Sequence, residues 1–225
     1  MKARPEALGR IRSGLVAGAL APPELLERLE SLGPRILDCY GLTETGAVTC
    51  CALDDPPELR ATTCGRPVPS YELRVADGEL EVRGAHLTPG YYGRPEETAK
   101  AFRDDWFRTG DLAEIDNAGY LRIVGRAKEI VHVGGFNVVP AEVEAVLVSH
   151  PAVENAAVIG VPDERMGEAL RAFVSLRAET EATAAELIAY TRSRIAGYKV
   201  PYAIELLPEL PLLPSGKPDR RALAG

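Results

Sequence analysis

Four short stretches carry the residue types that chemistry needs. Tyr40-Gly41-Leu42-Thr43-Glu44-Thr45-Gly46 packs a ring, hydroxyls and a carboxylate between two glycines. A ring can stack on a planar base, hydroxyls can donate to phosphate, and a carboxylate can hold Mg²⁺, which prefers oxygen ligands. A polar turn capped by threonines is the plain alternative, and spacing leaves both open. In Arg108-Thr109-Gly110-Asp111 the carboxylate can accept from two vicinal hydroxyls of a ribose, or serve as a turn aspartate. Gly125-Arg126-Ala127-Lys128-Glu129 is a short charged segment that suits a hinge, whose few residues absorb large dihedral changes, or a solvated linker. Pro214-Ser215-Gly216-Lys217-Pro218 offers a lysine as a mobile point charge for phosphate or carboxylate, or merely a solvated tail. It is no Walker loop: Pro211 stands where the first glycine must be, and Pro218 replaces Ser/Thr. His86, His132 and His150 are scattered, with no Ser-His-Asp or Cys-His arrangement legible.

The elements that must position these groups follow from hydrophobic period and turn residues. Residues 14–19 read as a buried strand, and Pro22-Pro23 opens a helix with Leu25, Leu26, Leu29 and Leu32 on one face. Gly33-Pro34 stops it, and Arg35 to Cys39 form a second strand. Strand–helix–strand predicts a parallel α/β unit. It puts Tyr40 to Gly46 in the turn past a strand's C-terminal end, where open α/β sheets bind ligands.

From about residue 66 the chain is β-rich. Hairpins are predicted around Asp77-Gly78, joining Tyr71–Val75 to Glu79–Arg83, and around Asn117-Ala118-Gly119, joining Trp106–Ile115 to Tyr120–Val124. A short helix runs from Pro95 through Phe102. After Gly125-Arg126 comes an α+β texture of about 100 residues. Glu129–Val133 reads as a strand and Gly134-Gly135 as a turn. Pro140 opens a helix with Val143, Val146 and Leu147 inward. Strands follow near 153–160 and 170–176, then a helix near 183–195 carrying Leu187, Ile188 and Ile195.

Composition excludes several classes. Lys+Arg 26 against Asp+Glu 33 gives net charge −7, so no domain-wide basic field exists to drive nucleic-acid binding. No apolar run approaches the ~18–20 residues needed to span a membrane. Met1 to Leu20 superficially mimics a signal peptide, but Glu6 interrupts its basic part and Gly18 its apolar part. Cys39, Cys50, Cys51 and Cys64 form no C-x-x-C. Adjacent Cys50 and Cys51 read as reduced, small apolar residues in a strand, and the setting as reducing and cytoplasmic.

In this order, the four stretches together with Gly84 to Tyr92, Trp106-Phe107, Val158-Ile159-Gly160-Val161-Pro162-Asp163 and Tyr198-Lys199-Val200-Pro201 strongly resemble the adenylate-forming superfamily. That group includes acyl- and aryl-CoA synthetases, adenylation domains of peptide synthetases, and firefly luciferase. The resemblance covers essentially the whole chain but only the later part of the family. The Ser/Thr/Gly-rich loop followed by Pro-Lys-Gly, which wraps the pyrophosphate of ATP, has no counterpart in these residues.

The fold so implied is α/β plus α+β: residues 1–66 the remnant of a parallel α/β subdomain, 67–125 a β-rich, barrel-like subdomain, and 126–225 a compact, mobile C-terminal α+β lid. The family chemistry joins a carboxylic acid to ATP as acyl-AMP, then passes the acyl group to a thiol as the lid rotates. The resemblance implies that Tyr40 and Gly41 line the adenine, with Gly18 and Ala19 on its other face. Leu20 departs mildly from the usual Gly-Ala-Pro. Thr43 would touch the α-phosphate and Glu44 would hold Mg²⁺. Asp111 and Arg126 would grip the ribose, and Lys128 would be the hinge. Gly134, Gly135 and Phe136 would border a pantetheine tunnel, and Lys217 would stabilise charge during adenylation. Losing such a donor costs on the order of 10²–10³ in rate.

IVHVGGFNVVPAEVE at Ile130 to Glu144 is similar to bacterial fatty-acyl and aryl-CoA ligases, which favours CoA over a carrier protein as thiol. The expected function is an AMP-forming acyl-CoA synthetase present as a truncated or split piece, itself weak in adenylation, using ATP/AMP, Mg²⁺, CoA and a carboxylic acid. The alternatives are an adenylation domain acting on a carrier protein, or a non-catalytic fragment that binds nucleotide or docks on a complementary N-terminal chain or a second copy of itself.

Overall fold

The computed structural model describes residues 10–18, 23–214 and 216–224. They fall into two compact units, Met1–Ile123 and Val124–Gly225. In the first, β1 (Ser13–Ala17), α1 (Pro23–Glu30) and β2 (Arg35–Leu42) form the expected unit, with β1 and β2 parallel. β3 (Gly46–Cys50) and β4 (Arg66–Pro67) then add antiparallel, giving the order β1-β2-β3-β4. Helix α2 (Pro57–Thr62) packs on α1. Arg60, 5% exposed, makes a two-pronged contact to Glu30 of α1, Nε to Oε1 at 2.9 Å and Nη2 to Oε2 at 2.7 Å. Leu26, Ile36 and Ala61 form the small core beneath, with Leu29 against it. Leu25 and Leu32 are exposed instead of joining that face, because eight helical residues turn only part of the predicted stripe toward one sheet.

The second sheet runs β5 (Tyr71–Ala76), β6 (Glu79–Gly84), β8 (Trp106–Ile115), β7 (Phe102–Arg103), with β9 (Leu121–Arg126) also on β8. Helix α3 (Pro95–Ala101) precedes β7, so Phe102 is strand and not helix. The Asp77-Gly78 hairpin forms as predicted, both residues at positive φ (53° and 81°), the geometry of the tight turn favoured between twisted strands. Val48, Tyr71, Leu80, Val82, Ala113 and Leu121 fill the core. Glu81 is fully buried on the same sheet, held by Arg74 at 2.5 Å and Arg103 at 3.3 Å.

The second unit is a five-stranded sheet. Its order is β11 (Phe136–Val138), β10 (Val131–Val133), β13 (Gly167–Leu176), β12 (Val153–Asp163), with β14 (Ala203–Leu206) parallel to β13. Glu129 lies in a 3₁₀ turn, Ala127–Glu129, and not in the predicted strand. Helix α4 (Pro140–Val148) buries Val143 and Leu147 and leaves Val146 half-buried. Helix α5 (Ala184–Arg192) starts on a capping box in which Thr183 and Glu186 satisfy each other's backbone amides. The tail folds back through α6 (Arg220–Ala224), whose Leu223 joins Ala157, Ile159, Phe173 and Leu210. Among the described residues no helix is long and apolar enough to cross a membrane.

The cysteines correct the sequence reading. Cys39 and Cys50 are joined in a disulfide between β2 and β3, while Cys51 and Cys64 are buried free thiols. Spacing rules search for close cysteines in sequence and miss a pair that a hairpin brings together. Of the adjacent pair read as reduced, Cys50 is therefore bridged and Cys51 alone is a free thiol, so cysteine chemistry no longer supports a reducing setting.

Asp38, on β2 beside this pair, is 7% exposed, and burial pushes its carboxyl up to about 6 against one lowering hydrogen bond from the Cys39 amide. Its ordinary value is 3.8. Between those values the folded chain binds more protons than the unfolded chain, so stability falls as pH rises. Asp38→Asn should flatten this slope between about pH 4 and 6 and raise stability at neutral pH, read from urea midpoints of both proteins across that range.

Candidate active site

The glycine-flanked motif is more strand than turn. β2 continues through Tyr40, Gly41 and Leu42, and the turn is confined to Thr43, Glu44 and Thr45. This corrects the expectation that the whole stretch lies past the strand end. The strand persists because Gly41 and Leu42 pair with Ala47 and Gly46 after a register shift between Tyr40 and Gly41. A Cβ on Gly41 would stand 2.0 Å from the Gly46 carbonyl oxygen, so no side chain fits there.

Three contacts fix the turn. Thr45, 1% exposed, accepts from the Leu42 amide at 3.0 Å. The Tyr71 hydroxyl donates to the Thr45 carbonyl. The Thr88 amide donates to the Glu44 carbonyl at 2.7 Å. Thr43 is left exposed at the tip.

Two predicted residues meet directly. Tyr40 Oη donates to Asp111 Oδ2 at 2.6 Å, joining β2 to β8 across 71 residues of sequence. Asp111 is 2% exposed, and its amide donates to Thr109 Oγ1 at 3.1 Å. The preceding Gly110 amide donates to Glu79 Oε1 at 2.9 Å, and Arg108 holds the other oxygen of that carboxylate at 2.7 Å. The Asp111 backbone is therefore braced from both sides.

Glu44 accepts from Tyr91 Oη at 3.0 Å. Burial, then the hydrogen bond and charge of Glu44, hold the Tyr91 phenol above its ordinary value. One donor leaves most of the roughly four acceptor positions of a carboxylate open. A half-buried carboxylate of this kind suits Mg²⁺, which takes one or two carboxylates beside phosphate oxygens and water. Among the described residues no group of three His, Cys, Asp or Glu stands ready to hold a metal alone.

Of the remaining residues named from sequence, Gly18 is described with φ +84°, whereas Ala19 and Leu20 lie outside the described residues. In the second unit, Arg126 ends β9 half-buried and Lys128 is exposed on the 3₁₀ turn. Gly134 and Gly135, both at positive φ, turn the chain from β10 into β11. Phe136 is 53% exposed and stacks on Tyr198 at 4.4 Å. Lys217 is exposed on a closed loop, its carbonyl accepting from the Leu213 amide at 2.8 Å; Ser215 lies outside the described residues.

Sequence reasoning missed the supporting partners. Tyr91 lies within the Gly84 to Tyr92 stretch, whose resemblance points to no single side chain. Tyr71 and Glu79 look like ordinary strand residues. Arg220 pairs with Glu144 at 2.7 Å and Glu129 at 3.6 Å, binding the last helix to α4 and to the 3₁₀ turn. Burial raises the Glu144 carboxyl, and the Arg220 charge works against that.

Tyr40→Phe keeps the ring and removes its donor to a buried carboxylate. Hydrogen bonds to charged groups contribute about 1.5–3 kcal/mol, so urea unfolding of the first unit should show a loss of that size.

The comparisons agree on one family. The profile described as AMP-binding enzyme matches residues 1–92, and that of the AMP-binding enzyme C-terminal domain matches residues 142–217. A 3-[(3aS,4S,7aS)-7a-methyl-1,5-dioxo-octahydro-1H-inden-4-yl]propanoyl:CoA ligase of Rhodococcus jostii is 41% identical over 220 residues, covering 96% of this chain and 43% of its own. A 2-succinylbenzoate–CoA ligase of Geobacillus kaustophilus is 39% identical over 222 residues, covering 94% and 45%. Among solved structures, the o-succinylbenzoate CoA synthetase of Bacillus subtilis with its acyl-adenylate intermediate superposes with TM-score 0.85 at 34% identity, over 96% of this chain and 46% of that one. The chain thus spans under half the length of these relatives. With its two profile matches in order and the fold shared, the chain belongs to the AMP-binding, adenylate-forming enzyme family.

Proposed function

We propose that this chain forms the nucleotide-gripping and thiol-transfer end of an AMP-forming acyl-CoA synthetase. In this reading Tyr40 stacks on adenine beside Gly41, with Gly18 and Ala19 opposite. Asp111 and Arg126 hold the ribose hydroxyls, Thr43 meets the α-phosphate, and Glu44 meets Mg²⁺. Lys217 offsets negative charge as a carboxylate attacks the α-phosphate and pyrophosphate leaves. Rotation at Lys128 then presents Gly134, Gly135 and Phe136 to the pantetheine arm of CoA, whose thiol displaces AMP.

The observation that carries this reading is the Tyr40–Asp111 hydrogen bond. It places an aromatic face and a braced, buried carboxylate side by side, as a base and its ribose require. The CoA-ligase names of the relatives support the thiol. The 225 residues contain no Ser/Thr/Gly-rich loop with Pro-Lys-Gly to orient pyrophosphate, so adenylation by this chain alone should be slow for lack of proximity.

Calorimetric titration with AMP tests the site. Binding is expected, and Tyr40→Ala and Asp111→Asn should each weaken it by about tenfold, equivalent to about 1.4 kcal/mol. Failure to bind at millimolar AMP would overturn the assignment. Carboxylate-dependent ATP–pyrophosphate exchange at a normal enzyme rate would overturn the expectation of weak adenylation. In a complete enzyme carrying this segment, Lys128→Pro should slow the switch between half-reactions and leave AMP affinity nearly unchanged; equal loss of both would rule out the hinge.

The docking alternative rests on β1. Among the described residues β1 pairs with β2 alone, Leu15 is 69% exposed, and Ile11 and Leu25 are exposed too; exposed apolar surface marks interfaces. Self-association in light scattering would favour it.

A further inference from the structure

We propose that Cys39 and Cys50 form a reversible dithiol–disulfide site, oxidised and reduced by a low-molecular-weight thiol–disulfide couple, that clamps the hairpin bearing Tyr40, Thr43 and Glu44. The inference rests on register and on what the covalent loop encloses. Cys39 and Cys50 are directly opposed across β2 and β3, with Cα atoms 4.2 Å apart. The neighbouring pair is hydrogen-bonded, Cys51 amide to Asp38 carbonyl at 2.9 Å. The cysteines therefore occupy a non-hydrogen-bonded position, where antiparallel side chains approach most closely. Cys39 is 8% exposed and Cys50 half-buried, so a small thiolate or disulfide reaches the pair through Cys50.

The link spans 11 positions of sequence, and Tyr40, Gly41, Thr43 and Glu44 all lie inside that loop. Backbone pairing within this hairpin is short, and the contacts of Thr45, Tyr71 and Thr88 act at its tip. The ladder slips between Tyr40 and Gly41, leaving two paired positions before the turn. On its other side β3 pairs with the two-residue β4, at Arg66 and Pro67, where proline donates nothing to a ladder, and the Val68 amide adds one bond to the Val48 carbonyl at 2.9 Å. A cross-link beside the slip adds a covalent restraint at the base of the hairpin. On the proposed function, it pre-organises the adenine-facing ring, and pre-organisation lowers the cost of binding.

The other two thiols are poor competitors. Burial pushes Cys51 up and Cys64 up to about 12, and the thiolate is the reactive form. Oxidation proceeds by attack of the Cys50 thiolate on one sulfur of an external disulfide, releasing one thiol and leaving a mixed disulfide. The Cys39 thiolate then attacks the Cys50 sulfur, forming the internal bond and releasing the second thiol. The two protein protons end on the two released thiols, and reduction is the reverse.

The test equilibrates the full chain in glutathione buffers of graded reduced-to-oxidised ratio. It counts alkylated thiols by mass after acid quench and denaturation, and follows amide exchange in residues 40–49. The expected result is a single transition between four and two reactive thiols, with peptide mapping linking Cys39 to Cys50. Exchange in 40–49 should be at least about fivefold slower in the oxidised form, and AMP binding several-fold tighter. Cys39→Ser/Cys50→Ser should behave as the reduced form in both buffers. Persistence of four thiols in oxidised glutathione, linkage through Cys51 or Cys64, or identical exchange in both states would overturn the proposal. Absence of AMP binding in both states would overturn the nucleotide reading alone, with thiol count and exchange still deciding the redox site.

Discussion

The hydrogen bond from Tyr40 to Asp111 is the constraint around which the first unit is arranged. It closes 71 residues and ties a strand of the mixed sheet to the long strand of the antiparallel one. For the ring to stand where its hydroxyl reaches, β2 must run past its parallel stretch with β1. That demands a glycine at 41, because the backbone at Gly46 crosses too closely for any side chain. For the carboxylate to be fixed, its own backbone must be held, and Glu79 and Thr109 hold it. Geometry at the pair is inherited from strand registers and not from flexible side chains, which is the condition for a site that binds without rearranging.

The second unit is organised by a different rule. β12 and β13 pair over nearly their full length, and Val143, Leu147, Val158, Val174 and Leu187 fill the space between that ladder and its two helices. The residues proposed for hinge, pantetheine and charge-stabilising roles lie outside this core: Lys128 on a 3₁₀ turn, Phe136 after a glycine turn, and Lys217 on a loop.

Much of this was legible in the residues, for identifiable reasons. Asp77-Gly78 and Asn117-Ala118-Gly119 announce hairpins because few residues tolerate such turns. Pro23, Pro57, Pro95 and Pro140 sit in the first turns of α1 to α4 as the fixed φ of proline allows. What was not legible depends on tertiary partners. Nothing local distinguishes a tyrosine that buttresses a turn, such as Tyr71 or Tyr91, from one that fills a core. The extension of β2 through Leu42 needed the opposing strand. The bridge between Cys39 and Cys50 needed the hairpin register, which slips by one position within the motif itself. Leu25 looked like core because periodicity assigns a face without knowing how wide the covering surface is.

Glu144 serves two masters at once: its Oε1 accepts from the Val158 amide at 2.7 Å and pairs with Arg220 at 2.7 Å. The central sheet and the terminal helix are thus fastened by one shared oxygen. A cut anywhere between the lysine loop and that arginine would take the cation from this half-buried carboxyl and the Leu223 packing from Ala157 and Ile159 of β12. Proteolytic trimming of the tail would therefore register in the middle of the domain, and a fusion partner is better appended after the final helix than substituted for it.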